Sequence, residues 1–396
     1  MSDLDEPPMA TVNALVVSPP ATVWGAQLYL LDQVDALRER GVQLTLASPS
    51  GTPFADAWVE RGFPLLDLPL ELHDGLRQAG SEKRTGVASM FRSALGVAKG
   101  IGTIVKISRD FDMMYSFAMR SHLEVAIAGR RTKTPVALDL VNIVRPGLGR
   151  RALRAAARLA TLTVANSKAS ADVLGDKPAV QIIHPAIDLD RFHPGPRDEV
   201  VFAELSDGVE RPLIAIIGRI DVRKGIQVLI EAMTMATGKA ADARVIVVGE
   251  AGTGPTEFAD RLQLDAHEQL GDRVLFTGRR SDVPDIMRAV DVVVMASVAE
   301  PFGLSALEAQ ACRTAVVGSN SGGLVEFVEH DATGLLFEPM NATALARAIE
   351  RIFDEPEHTS SMIDEAERRA NPARGLEAQY DELAQMYRDV AARSVR

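Results

Sequence analysis

The chain of 396 residues is longer than one average domain and predicts two, each large enough to bury its own core. Its apolar fraction of 46% and charged fraction of 24% are typical of a globular protein and exclude a disordered or fibrous chain. A net charge of -11 argues against nucleic acid as the main partner, because phosphate neutralisation requires a basic surface.

Short apolar runs alternate with amphipathic helical segments, the pattern of parallel sheets covered by helices on both faces. After residues 1–10, expected to be a flexible N-terminus, the strand segments of the first half are VNALVVS, VQLTLAS, DMMYSF, PVALDLV, LTVANS and VQIIHPA. Those of the second half are PLIAIIG, RVIVVG, RVLFTG, DVVVMAS, TAVVGS and GLLFEP. The sequence therefore predicts an α/β protein with two doubly wound, Rossmann-like parallel-sheet domains.

The domain boundaries are predicted from composition. Residues 191–211 interrupt the alternation with prolines and charges and are expected to be a linker. The predicted domains are therefore 11–190 and 212–373. Residues 374–396 predict a last helix with apolar positions near every third or fourth residue and no strand after it. We expect this helix to pack back on the first domain.

The carboxyl ends of the second-half strands, where doubly wound sheets bind ligands, are rich in glycine and charge. The segments are GRIDVRKG, GEAGTG, GRRSD, SVAEPFG and SNSGG. Glycine lets backbone N–H groups approach phosphate, and Arg and Lys neutralise it, so we expect a phosphorylated, hydroxyl-rich ligand. The dinucleotide fingerprint GxGxxG does not follow the first strand.

Two carboxylates and two cations stand out at this edge. Glu300 is predicted on a loop, and Glu308 lies roughly 8 Å down the helix that follows. Both can contact one elongated ligand; alternatively, Glu300 only stabilises a helix N-terminus and Glu308 is a solvated surface residue. Arg219 and Lys224 bracket a strand-to-helix turn and can hold a diphosphate, the alternative being a solvated turn capped by Asp221.

Other patterns also have two explanations. The glycines at 322–323 predict either a helix N-terminus open to an anion or a plain turn. Asp188 and Asp190 have the spacing of a carboxylate pair for a divalent metal but lie away from the glycine-rich edge. No helical His-x-x-x-His pair occurs, so we expect no metal held by the protein.

An arginine-rich stretch, RPGLGRRALRAAARLA, follows the fourth predicted strand. Three of its arginines recur at helical spacing on one face; the five are Arg145, Arg150, Arg151, Arg154 and Arg158. They form either a solvated helix face or a patch for an anionic acceptor or a membrane surface.

Cysteine content and the N-terminal sequence bear on the compartment. The single Cys312 excludes an internal disulfide framework and favours a reducing compartment. The first ten residues are acidic, unlike a secretory signal, and no apolar run approaches the roughly 18 residues of a membrane span. We therefore expect a cytoplasmic protein.

The ordered set of motifs resembles that of the retaining GT-B glycosyltransferases with two glutamates separated by seven residues (group 1 type, family four). The motifs are HPAIDLDRFHP, GRIDVRKG, FTGRRSDVPDIMRAVDVVVMAS, EPFGLSALE and SGGLVEFVEHDATGLLFEP. The resemblance spans nearly the whole chain and implies GT-B architecture, two domains facing a cleft. It also implies sugar transfer, with retention, from a nucleotide-diphosphate sugar of UDP or GDP type to an acceptor hydroxyl.

The resemblance implies roles for the residues of the second domain. Glu300 contacts hydroxyls of the donor sugar, and Glu308 holds the ribose hydroxyls. Arg219 and Lys224 stabilise the leaving diphosphate, so no metal and no further cofactor is expected. The other donor-binding positions are Gly218, Gly278, Arg279, Phe302, Gly303 and Leu304.

On the acceptor side, WGAQLYLLD is similar to the family's glycine loop at Gly25 and Ala26. Trp24 stands where a second glycine is common, and its bulk should narrow that side. Many members carry a histidine near the reacting sugar where this chain has Val141. The candidate replacements are Asn142, Asp139 and His122.

Two other functions remain open: a nucleotide-sugar epimerase of the same architecture, and a donor-binding assembly subunit without turnover, which the missing histidine favours. The expected partners are a nucleotide-sugar donor and an acceptor that is a carbohydrate, a lipid-linked sugar or a small molecule, with no nucleic acid. A peripheral membrane contact through the Arg145–Arg158 region, at the inner face of the membrane, is part of the same expectation.

Overall fold

A computed structural model describes residues 11–18, 25–68, 87–117, 119, 121–176, 178–251, 256–370 and 375–393, with the backbone alone at 25, 26, 28 and 87–96. The chain divides into two compact units. Unit 1 contains the residues up to Ile183 together with those from Glu377, and unit 2 is His184–Leu376. Each unit is built around one parallel sheet, so the predicted fold class, two doubly wound α/β domains, is confirmed.

Unit 1 contains a seven-stranded sheet in the order β3-β2-β1-β4-β5-β6-β7, with every described pairing parallel. Its strands are β1 (Val12–Val17), β2 (Val42–Ser48), β3 (Leu65–Asp67), β4 (Met113–Ser116), β5 (Val136–Leu140), β6 (Leu162–Ala165) and β7 (Val180–Ile182). Its helices are α1 (Gly25–Glu39), α2 (Pro53–Glu60), α3 (Val87–Ile107), α4 (His122–Thr132), α5 (Leu148–Leu159) and α6 (Lys168–Ala171).

Apolar layers fill both faces of this sheet. On one face, α1, α2 and the C-terminal helix contribute side chains such as Leu30, Trp58 and Tyr387. On the other face, α3, α4 and α5 contribute Ile104, Val125, Leu153 and their neighbours. The strands are β-branched and leucine-rich because both of their faces are buried.

Unit 2 contains a six-stranded parallel sheet in the order β10-β9-β8-β11-β12-β13. Its strands are β8 (Leu213–Ile217), β9 (Arg244–Val248), β10 (Val274–Gly278), β11 (Val292–Met295), β12 (Ala315–Ser319) and β13 (Leu335–Phe337). Its helices are α7 (Glu199–Ser206), α8 (Ile226–Met235), α9 (Glu257–Leu270), α10 (Val283–Ala289), α11 (Leu304–Ala311), α12 (Ala342–Asp354) and α13 (Pro356–Ala370). The C-terminal helix α14 (Leu376–Ala391) returns to unit 1.

The structure differs from the predicted elements at two places. The three-residue edge strand β3 has no counterpart among the predicted strands, because its apolar run is too short for a periodic pattern. The segment expected to be a linker, 191–211, contains α7, whose Phe202 and Leu205 are buried in a core of unit 2. The boundary between the units instead falls between Ile183 and His184.

A buried carboxyl group lies between β5 and the aromatic side chains on the α1 and α14 side of the sheet. Asp139 is 7% exposed and accepts a hydrogen bond from the Tyr115 hydroxyl. Burial raises the pKa of Asp139 to about 7, although the Tyr115 hydrogen bond opposes the shift. Tyr29 and Tyr387 lie close enough for Asp139 to add to the rise that burial causes in their pKa values. The protonation state of Asp139 should therefore affect the free energy of unfolding.

Asp139→Asn is expected to remove a pH dependence of unfolding. Because the folded pKa of about 7 exceeds the unfolded value near 3.9, the stabilising proton is fully retained below about pH 4. Its contribution falls as pH rises through 7. We compare the free energy of unfolding of the variant with that of wild type at each pH. This difference should be more favourable to the variant at pH 8 than at pH 4, by on the order of 2–4 kcal/mol. Urea unfolding across this range measures it, with exposed Asp110→Asn as control; parallel pH profiles would contradict the assignment.

Candidate functional site

The candidate site lies at the switch point of the second sheet. The chain runs from β8 outward to β9 and β10, then returns to the other side of β8 as β11, β12 and β13. Ligands of such sheets bind beyond the carboxyl ends of the strands at this reversal. The loops after β8 and β11 meet there, and they carry Lys224 and Glu300 respectively.

Glu300 is fixed through one of its two carboxylate oxygens. Lys224 Nζ donates to Glu300 Oε2 at 2.9 Å, and Ser297 Oγ donates to the same atom at 2.7 Å. Oε1 accepts no hydrogen bond from any residue that the structure describes. The Glu300 side chain is 11% exposed. A buried, charged carboxylate therefore presents one unused oxygen at the switch point.

Ser297 is itself anchored by the next strand. It is 2% exposed, and its carbonyl accepts a hydrogen bond from Ser319 Oγ, at the end of β12, at 2.6 Å. The Glu300 carbonyl accepts from the Gly323 N–H at 2.8 Å. Backbone and side chain of Glu300 are therefore both held by groups from neighbouring loops.

Two glycines permit this close packing. Gly225 has a φ of 70°, and a Cβ there would lie 2.0 Å from the Ala296 carbonyl oxygen. Gly322 has a φ of 65°, and a Cβ there would lie 2.0 Å from the Glu300 carbonyl oxygen. Any side chain at either position requires backbone movement at Glu300 or beside it. The glycines at 322–323 precede only a short 3₁₀ turn, Leu324–Glu326, so the predicted open helix N-terminus is wrong.

The turn after β8 has the Asp221 cap that one of its two predicted explanations requires. Asp221 caps the turn through the Arg223 N–H and binds the Arg223 guanidinium at 2.7 Å. Arg223, with a smaller effect from Arg219, lowers the pKa of Asp221 to about 2. Arg219 is exposed, whereas the Lys224 side chain is only 28% exposed. The cap thus holds a turn in which Lys224 faces Glu300 and Arg219 faces solvent.

Glu308 lies on α11, half-buried, as the sequence predicted for its helix. Its carboxylate makes no hydrogen bond or ion pair with the described residues. Burial raises the pKa of Glu308 to about 7, and the Arg191 charge partly offsets this rise. A solvated surface residue would show no such shift, so Glu308 is not the solvated residue of the alternative explanation.

An aromatic stack supports the corner between the two carboxylates. Phe302 is 3% exposed and contacts His184 and Phe327 with ring centroids 5.5 and 5.0 Å away. His184 Nε2 lies 3.1 Å from Glu326 Oε2. Gly303 caps α11 with a φ of 107°, and Leu304 begins the helix. The Phe302 side chain is therefore part of a core, so only its backbone is available to a ligand.

The remaining donor-side positions lie at the same sheet edge. Gly218 follows β8, and Gly278 ends β10, where its carbonyl accepts from the Gly249 N–H at 2.9 Å. Arg279 is exposed and makes no ion pair with a described residue. The structure therefore brings all ten predicted residues of unit 2 to the loops and helix at this edge.

The acceptor-side positions lie in unit 1. Trp24 lies outside the described residues, and Gly25 and Ala26 begin α1. Asn142 is exposed just beyond β5, beside half-buried Val141. Its place at the carboxyl end of a strand is compatible with ligand contact.

The other two replacements for the missing histidine are structural residues. His122 is 1% exposed, with Nδ1 2.8 Å from Ser116 Oγ and Nε2 3.0 Å from the Asp139 carbonyl. Burial lowers the pKa of His122 to about 4, so the ring is neutral and Nε2 donates to the carbonyl. Asp139 is buried against Tyr115. Neither side chain is exposed enough to take an acceptor proton.

The carboxylate pair Asp188 and Asp190, one of the alternative metal sites, belongs to a turn. Asp188 Oδ1 accepts the N–H groups of Asp190 and Arg191, at 3.0 and 3.2 Å, which is a turn. Within the described ranges, no group of three or more His, Cys, Asp or Glu is arranged to hold a metal ion. In the same part of the chain, every helix is too short or too polar to cross a membrane.

Three residues of this site have no role predicted from the sequence: Ser297, Arg191 and His184. Ser297 ends the β11 run, and only the fold shows that its hydroxyl meets Glu300. Arg191 and His184 belong to HPAIDLDRFHP, a motif recognised as a whole; their partners are more than a hundred residues away. The available sequence signal for Ser297 is its position as a polar residue at the end of an apolar run.

A family model and several known proteins are similar to this chain. Residues 199–369 match the family model described as "Glycosyl transferases group 1". A D-inositol 3-phosphate glycosyltransferase of Rhodococcus opacus is 33% identical over 217 residues, 52% of this chain and 48% of the relative. The chain thus spans about half the length of that relative. A Rhodococcus erythropolis protein of the same name is 25% identical over 394 residues, 93% of this chain and 87% of that protein.

Solved structures share the fold of both units. Anabaena Alr3699/HepE, solved in complex with UDP-glucose, has a TM-score of 0.76 and 22% identity, covering 96% of this chain and all of that chain. At that identity the likeness establishes the two-domain GT-B fold. The segment with Lys224 and both carboxylates lies wholly within residues 199–369, the region that is similar to the glycosyl transferases group 1 family.

Proposed function

We propose that the protein is a retaining glycosyltransferase that moves a sugar from a nucleotide-diphosphate sugar to an acceptor hydroxyl. The observation that carries the proposal is Glu300, fixed through Oε2 by Lys224 and Ser297 and presenting Oε1 at the switch point. An anionic oxygen beside a cation suits a ligand with sugar hydroxyls next to a diphosphate. The family match of this segment and the UDP-glucose complex of HepE support the same ligand class.

Each residue receives a role in this proposal. Glu300 Oε1 accepts hydroxyls of the donor sugar, and Glu308 accepts the ribose hydroxyls. Lys224 and Arg219 stabilise the negative charge that develops on the leaving diphosphate. Backbone groups complete the donor site at Gly218, Gly278, Arg279, Phe302, Gly303 and Leu304. On the acceptor side we assign Gly25, Ala26, Trp24 and Asn142.

Retention is proposed as attack on the same face of the sugar, with a donor phosphate oxygen helping to take the acceptor proton. The Val141 position supplies no imidazole, so the protein offers no obvious side-chain base there. The acceptor is a carbohydrate, a lipid-linked sugar or a small molecule. We place the protein in the cytoplasm, with a membrane contact at the Arg145–Arg158 region.

The test is incubation with a panel of UDP- and GDP-sugars, with and without candidate acceptors. Acceptor-dependent release of nucleoside diphosphate, and a product with the donor's anomeric configuration by NMR, would support the proposal. A changed sugar without any acceptor would identify an epimerase. Donor binding without turnover on any acceptor would identify a binding subunit.

Turnover is expected to be independent of divalent metal. Lys224 and Arg219 supply the positive charge that a metal would otherwise bring to the diphosphate. Rates with EDTA and with added magnesium or manganese should therefore agree within about twofold. Activity lost in EDTA and restored by either ion would refute this assignment of the cations.

Glu308→Gln is expected to weaken nucleoside diphosphate binding by about 1.5 to 3 kcal/mol, the value of a charge-assisted hydrogen bond. Because the pKa of Glu308 is raised to about 7, the carboxylate that accepts ribose hydroxyls forms as pH rises through 7. Wild type should therefore bind nucleoside diphosphate more tightly as pH rises through 7. The Glu308→Gln variant should lack the part of this pH dependence that comes from Glu308. Turnover at saturating donor should change less than affinity.

Calorimetric titrations between pH 6 and 8 test this prediction. The diphosphate itself titrates in this range, so the exposed variant Glu268→Gln serves as the reference that retains the ligand's own pH dependence. If the Glu308 and Glu268 variants bind nucleoside diphosphate with equal affinity, Glu308 does not hold the ribose hydroxyls.

A further inference from the structure

His184 lies where the chain enters unit 2. Ile183, which follows β7, is the last residue of unit 1 on this part of the chain, so His184 is the first residue of the second unit. Its side chain is 42% exposed and contacts two parts of the candidate site, the loop after β11 and the turn after β12. A single residue at the chain crossing therefore joins two segments that surround Glu300.

The first contact of His184 is an aromatic stack. Its ring lies against Phe302, with centroids 5.5 Å apart and ring planes inclined by 27°. Phe302 is two residues after Glu300, and its ring also contacts Phe327 with centroids 5.0 Å apart. Any movement of the corner that carries Phe302 therefore changes both ring contacts.

The second contact of His184 is a hydrogen bond to the turn after β12. His184 Nε2 donates to Glu326 Oε2 at 3.1 Å, and the Glu326 side chain is only 11% exposed. The Glu326 N–H donates to the Gly323 carbonyl, which closes the 3₁₀ turn. The Gly323 N–H donates in turn to the Glu300 carbonyl at 2.8 Å. A series of hydrogen bonds therefore leads from the His184 ring to the backbone of Glu300.

The same turn also borders the side chain of Glu300. A Cβ built at Gly303 would lie 3.5 Å from Glu300 Cγ and 3.0 Å from Leu324 Cδ1. It would lie 3.6 Å from Phe327 Cζ. The stem of Glu300 and two buried apolar side chains of the turn therefore surround one small space, so a shift of the turn also displaces the Glu300 carboxylate.

We infer that His184 is a positioning residue for Glu300, which braces the loop after β11 and the turn after β12 so that Glu300 Oε1 keeps one orientation. The inference rests on the proposed function, because that function gives Oε1 its ligand, the donor sugar. A misplacement of about 1 Å at a reacting group can cost about a hundredfold in rate, so a brace can act on turnover without touching the substrate. The alternative is a purely structural residue that only fixes the chain crossing to unit 2.

The first experiment is hydrogen exchange of the full chain measured by mass spectrometry, which needs no substrate. His184→Ala should speed exchange of the amides in residues 320–328 by at least about tenfold, because the turn loses its hydrogen bond and its ring contact. His267→Ala is the matched control. His267 is exposed on α9, contacts the Phe276 ring with centroids 6.1 Å apart and has Nδ1 3.5 Å from the Gly271 carbonyl oxygen. This control should leave exchange in residues 320–328 at the wild-type rate.

The second experiment measures turnover at saturating donor and nucleoside diphosphate affinity. His184→Ala should lower turnover about tenfold and change affinity by less than about twofold, since the diphosphate is not the ligand of Glu300. His184→Phe keeps the stack on Phe302, and His184→Gln keeps a donor towards Glu326, so each should retain part of the turnover that alanine loses. In the Glu300→Gln background, His184→Ala should cost less than about twofold, because the carboxylate that it positions is gone.

Three results would overturn the inference. Unchanged exchange in residues 320–328 would show that His184 does not brace the turn. An equal loss of turnover with and without the Glu300 carboxylate would show that His184 does not act through it. Parallel losses of turnover and affinity would assign His184 to donor binding instead.

Failure of the proposed function gives a different result. A wild-type protein without turnover on any donor would refute glycosyl transfer, and the exchange experiment alone would then decide whether His184 braces the turn. If His184→Ala does not fold, the Phe and Gln variants provide the same comparisons, each with one of the two contacts intact.

Discussion

Glu300→Gln is expected to lower turnover by roughly ten- to a thousandfold while leaving nucleoside diphosphate affinity nearly unchanged. Positive charge builds on the donor sugar as its bond to phosphate breaks, and the Glu300 carboxylate stabilises that charge more in the transition state than in the bound donor. Glutamine keeps the shape and can still accept from Ser297 and Lys224. The change therefore removes charge while preserving most of the geometry that holds Oε2.

The measurement is turnover and diphosphate affinity for the Glu300 and Glu268 variants, each an isosteric Glu→Gln change in unit 2. Glu268 is exposed on α9 and should behave as wild type. Equal losses of affinity and turnover at Glu300 would point to a distorted pocket. Normal turnover would mean that the carboxylate only supports the loop after β11, and the proposed function would lose its central observation.

The sheets could be predicted because their strands are buried on both faces. Each of the six strands predicted in the second half contains an observed strand, and the same holds for the six predicted in the first. The seventh strand of unit 1, β3, is three residues long at the sheet edge and carries no comparable pattern. Helix α7 was missed because its apolar residues stand among the prolines and charges of 191–211.

The site was predictable as a set of residues but not as a network. Strand ends and glycine spacing indicated that Lys224 and Glu300 share an edge. Which oxygen of Glu300 is held, and that Ser297 holds it, depends on a loop conformation that sequence does not encode locally. The raised pKa of Glu308 likewise comes from burial of the helix that carries it. His122 shows the converse, since its sequence suggested chemistry and its buried partners show a structural role.

The C-terminal helix closes the core of unit 1. Met386 and Val390 on α14 are fully buried, and Tyr387 packs against Tyr115 with ring centroids 5.2 Å apart. Arg40 on the adjoining segment pairs with Asp381 at 2.7 Å, but the Asp381 side chain is 72% exposed. Such an exposed pair contributes about 0–1 kcal/mol, so apolar burial supplies most of the docking energy.

Removing the residues after Gly375 is therefore expected to expose the apolar side chains of α1 and β4 that α14 covers and to make the protein aggregate. The free energy of unfolding cannot be measured for a truncated chain that fails to fold. The substitution Met386→Ala therefore provides the quantitative test of how much α14 stabilises the core. It should destabilise unit 1 by about 2–5 kcal/mol, since it leaves a cavity in a close-packed core. Glu382→Ala, exposed on the same helix, should change stability by less than about 0.5 kcal/mol. Urea unfolding of both variants provides the comparison. A truncated protein with an unchanged melting temperature, or a Met386 variant as stable as the Glu382 control, would show that α14 is dispensable to the core it covers.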